Sequence, residues 1–157
     1  MKIQFWSIGK QNEPYVHEGI LLFTKRINNY FSAEWKIIAP LKNAATLAEH
    51  EMKEKEGELI LNQLKKEDYL ILLDERGKML NSEGLAQKIQ QCANESQKQI
   101  IFLIGGAFGV SEAVSKRADF KWSLSSLVFP HQLVRLILSE QIYRACTILR
   151  NEKYHHT

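Results

Sequence analysis

The residue types that could do chemistry sit in two loops and a tail. The run Ile100-Ile101-Phe102-Leu103-Ile104 leads directly into Gly105-Gly106-Ala107-Phe108-Gly109. A glycine turn between a buried strand and a helix is where α/β proteins seat a ligand, at the carboxyl edge of the sheet. Gly105-Gly106-x-x-Gly109 lacks the GxGxxG spacing of a dinucleotide site, and no Lys-Ser/Thr follows as a P-loop requires. On its own it reads equally as a tight strand-to-helix turn. A second loop, Leu124-Ser125-Ser126-Leu127-Val128-Phe129-Pro130-His131-Gln132, follows some twenty residues later and offers backbone amides and small polar groups. Neither loop carries Lys or Arg, which argues against a triphosphate and for an adenosine-like ligand held by backbone hydrogen bonds and apolar contacts. His131 stands at a helix start behind Pro130. It could be a base or a phosphate contact, but its position favours capping or packing.

Further along, Glu140 and Arg144 are spaced i,i+4. They read either as a helix-surface ion pair or as an orienting pair beside the pocket. The tail Asn151-Glu152-Lys153-Tyr154-His155-His156-Thr157 would ordinarily be set aside as frayed. Yet Tyr154, His155 and His156 are types that transfer protons and contact RNA.

The elements that must position these groups follow from periodicity. Residues 2–8 form a short apolar strand ending at Gly9, and residues 13–31 carry apolar residues at helical spacing. Residues 35–39 form a second strand stopped by Pro40. Residues 44–66 form a charged helix whose Lys-Glu-Lys-Glu run reads as a solvated face, with Gly57 weakening it locally. Residues 69–73 are a buried strand ending at Asp74-Glu75-Arg76-Gly77, and Ser82 is the expected N-cap of a helix to about Cys92. After the strand at 100–104 come a helix over 111–118, a strand at 120–124 and a last helix over 131–150. Alternating strands and helices imply an α/β fold with a mostly parallel sheet flanked by helices. In such a sheet, Leu73-Asp74-Glu75, Gly105-Gly106 and the 124–129 loop meet on one edge and line one pocket. The last helix is apolar on two sides: Val134, Leu138, Ile142, Ala145 and Leu149 on one, Leu133, Leu136, Ile137 and Tyr143 on another. Two apolar sides require two covers, and a second subunit is the expected one, giving a symmetric homodimer.

Composition sets the bounds. The 157 residues, 45% apolar and 25% charged, fit one globular domain spanning 1–157. No run approaches membrane-spanning length and the start lacks signal-peptide character, so cytoplasmic residence is expected, with no membrane partner. Cys92 and Cys146 are far apart, with no CxxC or His/Cys cluster nearby; they read as reduced structural thiols, and no metal is expected. A net charge of +3 permits an RNA partner without arguing for one.

Gly77-Lys78-x-Leu80-x-Ser82-Glu83-Gly84-Leu85-Ala86, Ile104-Gly105-Gly106-x-x-Gly109, Phe129-Pro130-His131-Gln132 and Glu140-Gln141-x-Tyr143-Arg144-Ala145 together resemble the ribosomal RNA large subunit methyltransferase H family. So do Glu54-Lys55-Glu56-Gly57 and a chain stopping just after Tyr154-His155. The family is a compact bacterial branch of the SPOUT, or α/β-knot, methyltransferases, and the resemblance covers the whole chain. It implies S-adenosylmethionine-dependent methylation at N3 of a pseudouridine in 23S rRNA, within a helix loop at the ribosomal subunit interface. It also implies a homodimer and a C-terminal trefoil knot, a topology that periodicity cannot foresee. The cofactor contacts it implies are Leu73, Gly105, Leu124, Ser125, Ser126, Leu127, Val128 and Phe129, the same three strand ends. The family commonly ends Tyr-His-Lys, whereas this chain has Tyr154-His155-His156-Thr157, which removes any phosphate contact by a terminal lysine.

Methylating N3 means losing a weakly acidic imino proton, so a positioned base would help. His155 or Tyr154 is expected to assist that step, with Arg144 binding phosphate or the developing anion. The rivals are a SPOUT methyltransferase acting on another RNA such as tRNA, and a ribosome-binding module that has lost catalysis. A nicotinamide-dependent oxidoreductase is the weakest, because the glycine spacing is wrong and no acidic residue is placed for a ribose.

Overall fold

A computed structural model describes residues 1–42 and 44–156, with the backbone alone at Ala44. Thr157, part of the departure from the family's tail, lies outside the described residues. In order, the chain forms β1 (Lys2–Ile8), α1 (Pro14–Ile27), β2 (Ser32–Ile38), a 3-10 turn (Ala44–Thr46), α2 (Glu49–Gln63), β3 (Tyr69–Met79), α3 (Ser82–Asn94), β4 (Gln99–Ile104), α4 (Glu112–Arg117), β5 (Phe120–Ser123) and α5 (His131–Leu149). The strands make one parallel sheet in the order β2-β1-β4-β3-β5.

β4 reads as continuously apolar because it is central and covered on both faces. Its period of two sends Ile100, Phe102 and Ile104 to one side, where they pack with Ile27 of α1, Leu85 and Ile89 of α3, and Leu138 and Ile142 of α5. Ile101 and Leu103 face the other side, with Ile60 of α2 and Val114 of α4. On the first face an aromatic row runs across the strands: Trp35 stacks on Phe5 at 4.8 Å, Phe5 on Phe102 at 5.8 Å, and Phe102 meets Trp122 edge-on at 6.1 Å. Each such pair adds about 0.5–1.5 kcal/mol beyond its buried area.

Several boundaries differ from the sequence reading, each for a nameable reason. α1 stops at Ile27, not Phe31, because the Asn28 side chain donates to Thr24 O at 2.8 Å and pairs with the Ala33 backbone in both directions at 3.0 Å, turning the chain into β2. β2 starts at Ser32 and ends at Ile38, in unbroken register with β1. α2 begins at Glu49, the 44–46 segment being a separate turn. Gly57 is buried in α2, where a Cβ would run into the Ser111 hydroxyl, so it permits the α2–α4 contact and is no mere weak point. β3 does not end at residue 73. It passes a bulge between Leu73 and Lys78 and continues to Met79, because β5 supplies a ladder partner for its second half. Asn81, not Ser82, caps α3, its Oδ1 accepting from Gly84 N at 2.7 Å.

α5 buries its first apolar side in the core, and its second side is partly covered from within. Leu136 presses on Gly19 of α1, and Tyr143 meets Phe23, Tyr30 and Tyr154. Buried Arg135 braces the same end: its Nε donates to Ser7 Oγ at 2.9 Å and its NH1 to Lys10 O at 2.8 Å and Asn12 Oδ1 at 2.9 Å. No helix among the described residues is long and apolar enough to cross a membrane. Cys92 and Cys146 are free and buried, and burial pushes their thiols up to about 11 and about 12.

Candidate functional site

The parallel register brings Leu73 beside Ile104 at the ends of β3 and β4, with β5 against β3. Beyond these ends lies a cavity of about 670 Å³, within the range of small-molecule and cofactor sites. Its walls are Leu73 to Arg76, Gly105 to Val110, and Leu124, Ser125, Leu127, Val128 and Phe129. The cofactor residues named from sequence thus line one space, except Ser126, which is not part of the lining. His131 does line it and caps nothing, so the packing role favoured from position does not hold. His131 is exposed at the cavity mouth; the water it loses to the wall, then the Arg135 charge, hold its imidazole below the ordinary value.

The glycine loop is closed by Gly109 N donating to Gly106 O at 3.0 Å, and neither Gly105 nor Gly106 has room for a side chain. A Cβ on Gly105 would stand 2.8 Å from Val110 Cγ1 and 3.2 Å from the Gly109 carbonyl carbon. On Gly106 it would stand 2.8 Å from Glu56 Oε1. Glu56 belongs to the run read as a solvated face, and that reading fails at two places. Glu56 is buried against the glycine loop, and burial holds its carboxyl above the usual range. Lys53, one turn earlier, lines the cavity. Helical spacing alone placed both on α2; only the loop's approach to that helix shows which side is inward. At the rim, burial works against ionisation of Asp74. The Arg76 amide, donating at 2.9 Å, and the Arg76 guanidinium outweigh it and hold the Asp74 carboxyl below the usual range.

The second loop is shaped by its own serines: Leu127 N donates to Ser125 Oγ at 3.0 Å, and Ser123 Oγ to Ser125 O at 3.3 Å. Leu127 and Val128 are 70% and 89% exposed and Phe108 49%, so the mouth carries an apolar rim. A hollow of about 240 Å³ shares Leu124, Ser125 and Phe129 with the main cavity and reaches Ile137 and Gln141 of α5. Trp122 lines it with a buried Nε1–H that has no acceptor.

Arg144, Tyr154 and His155 form a separate group. Glu140 Oε1 accepts from Arg144 Nε at 3.0 Å and NH2 at 2.5 Å, and from the Tyr154 hydroxyl at 3.1 Å. Arg144 NH1 meets His155 Nδ1 at 3.1 Å, and His155 Nε2 meets Glu83 Oε1 at 2.9 Å. The tail is therefore docked, not frayed, helped by Tyr30 OH donating to Glu152 Oε2 at 2.6 Å. Glu140–Arg144 is more than a lone helix-surface ion pair, because Glu140 also holds Tyr154, but the pair does not stand beside the cavity as the orienting reading has it. Burial, then Glu140's charge and hydrogen bond, push the Tyr154 phenol up, which keeps it protonated. None of the three lines the main cavity. Val134 does, and ten residues of α5 at about 1.5 Å each put Arg144 about 15 Å further along. Glu140 and Glu83 were not singled out as site residues; only the i,i+4 spacing hinted at the first, and nothing local at the second.

The sequence profile described as "Predicted SPOUT methyltransferase" matches residues 1–155. Proteins named "Ribosomal RNA large subunit methyltransferase H" are similar over nearly the whole chain. That of Christiangramia forsetii is 46% identical over 156 residues, covering 99% of each chain. That of Cytophaga hutchinsonii is 47% identical, covering 99% of this chain and all of the relative. The crystal structure of a tRNA (m1G37) methyltransferase from Aquifex aeolicus superposes with a TM-score of 0.58 at 16% identity, covering 100% of this chain and 76% of that one. At that identity the likeness speaks for the fold, which is the α/β-knot fold expected from the motifs.

Proposed function

The chain belongs to the SPOUT methyltransferase family, and from that premise we propose that it methylates large-subunit ribosomal RNA, at N3 of a pseudouridine, with S-adenosylmethionine as donor. The observation that carries the reading is the cavity at the three strand ends, whose lining includes the cofactor residues expected from the motifs apart from Ser126. S-adenosylmethionine supplies an activated methyl group when bound. The chain's part is to hold and align it. Leu73, Gly105 and the 124–129 backbone would grip the adenosine, the glycines at 105 and 106 leaving space for it.

The acceptor must lose its imino proton. Tyr154, held as the phenol, is a donor and a spacer, which leaves His155 as the base and Arg144 as the phosphate or anion contact. In one subunit this trio lies along α5, off the cavity, so the reading includes a homodimer in which one subunit's tail serves the other's cofactor. The exposed rim of Phe108, Leu127 and Val128 gives such a partner an apolar surface to cover. One domain over 1–157 and cytoplasmic residence complete the proposal.

The test is methyl transfer from labelled S-adenosylmethionine to ribosomes from cells lacking the enzyme, followed by mapping of the labelled nucleotide. Label on a large-subunit pseudouridine is expected. His155→Ala and Arg144→Ala should lower the single-turnover rate about 10²-fold or more while leaving cofactor affinity intact. Label elsewhere, or cofactor loss in Arg144→Ala, would overturn the assignment.

A further inference from the structure

Both ring nitrogens of His155 are engaged, and their partners differ in kind. Nδ1 faces Arg144 NH1 at 3.1 Å, and a guanidinium can only donate. Nδ1 must therefore present its lone pair. Nε2 faces Glu83 Oε1 at 2.9 Å, and an ionised carboxylate can only accept, so Nε2 carries the proton. The contact with Glu83 resembles an ion pair by distance, yet in this arrangement the imidazole is neutral and in a single tautomer. Protonating Nδ1 would set two cations face to face and expel Arg144.

We infer that Glu83 is a positioning residue that fixes His155 with its proton on Nε2, making Nδ1 the accepting atom, and that Arg144 covers Nδ1 until an RNA phosphate draws the guanidinium away. The inference rests on the proposed reading of His155 as base. The groups facing the imidazole are Glu83 from α3, Arg144 from α5 and, through Arg144, Glu140; Tyr154 adjoins them on the tail. Glu140 holds Arg144 by Nε and NH2 and the guanidinium lies 4.8 Å over the Tyr154 ring, so NH1, the atom on Nδ1, is the one left for an anion to engage. An anion on that edge competes for the same N–H.

With Nδ1 uncovered, the N3–H bond of the acceptor breaks and its proton passes to Nδ1. The N3 electron pair forms the new N–C bond as the S–CH3 bond breaks, its electrons staying on sulfur. One positive charge is consumed at sulfur and one appears on the imidazolium, which Glu83 then stabilises through Nε2–H. The arrangement has the logic of a carboxylate orienting a catalytic histidine.

The experiment combines nitrogen-15 correlation spectra of the histidine-labelled full-length protein with single-turnover methylation of ribosomes. His155 is assigned by difference from His155→Gln. At mildly alkaline pH the wild-type ring should show a protonated Nε2 and a bare Nδ1. Glu83→Ala should give mixed tautomers and a rate lower by about tenfold or more, within the roughly 10²–10⁴-fold that a general base contributes, with cofactor affinity unchanged. Glu83→Asp should restore the tautomer and part of the rate. A proton on Nδ1 in the wild type, or a wild-type rate in Glu83→Ala beside an impaired His155→Ala, would overturn the inference and leave the base assignment standing. A wild-type rate in His155→Ala would instead refute the base assignment itself.

Discussion

Gly105→Ala tests whether the glycine loop is a cradle or only a turn. The new Cβ would meet Val110 Cγ1 at 2.8 Å and the Gly109 carbonyl carbon and oxygen at 3.2 and 3.3 Å. The side chain can swing away; the backbone atoms cannot without prying at the Gly109–Gly106 hydrogen bond. Overpacking of this kind costs about 1–3 kcal/mol. If the free loop relaxes outward and must be forced back on binding, that strain is subtracted from affinity, a loss of about 5- to 150-fold at 1.4 kcal/mol per tenfold. Isothermal titration with S-adenosylmethionine reads the affinity, and thermal unfolding reads how much strain remains in the free protein. Gly109→Ala is the control: nothing lies within 4 Å of its Cβ, but its φ of +86° is unfavourable for alanine. It should lower stability by about 1 kcal/mol with little local crowding. Wild-type affinity together with a wild-type melting temperature in Gly105→Ala would refute the reasoning.

Glu56 and the cysteines give two further predictions. Burial raises the Glu56 carboxyl in the fold, so its protonated form is the favoured one there; stability is present below the unfolded value near 4.3 and is lost as pH rises through the folded one. Glu56→Gln should therefore raise the melting temperature at pH 7–8, the gain vanishing as pH falls towards about 4; a gain independent of pH would contradict this. With thiols pushed up to about 11 and about 12 and no side-chain exposure to speak of, Cys92 and Cys146 should resist a disulfide reagent at pH 8 until urea unfolds the chain. Rapid labelling of the native protein would count against the packing around α3 and α5.

Much of the site was legible because it depends on strand ends. Period and apolarity located β3, β4 and β5 closely enough that Leu73, Gly105 and the 124–129 loop fell on one edge. What escaped depends on contacts between distant segments. Asp74-Glu75-Arg76-Gly77 looks like a turn and is the bulge, and only the pairing of Lys78 and Met79 with β5 beyond it extends the strand. Glu56 looks solvated until the 105–109 loop is laid over α2. The two apolar sides of α5 pointed to a partner; α1 meets the second side at Leu136 and Tyr143, and its four residues stay partly exposed. Tyr154 and His155 had the right residue types, while Glu83, some seventy positions earlier, carried no local mark of its role.

The brace from Arg135 to Ser7 and Lys10 has a consequence for the order of events during synthesis. β1, α1 and β2 leave the ribosome first, but β1 gains its other neighbour only when β4 arrives, and α1 gains its cover only with α5. At about 5–20 residues per second, roughly ten to thirty seconds separate the two ends of the chain. For most of that time Ile3, Phe5 and Ile27 have no finished core to enter. The last helix in chain order thus completes the layer that the first elements begin, so β1 and α1 reach their native packing only once α5 has been made.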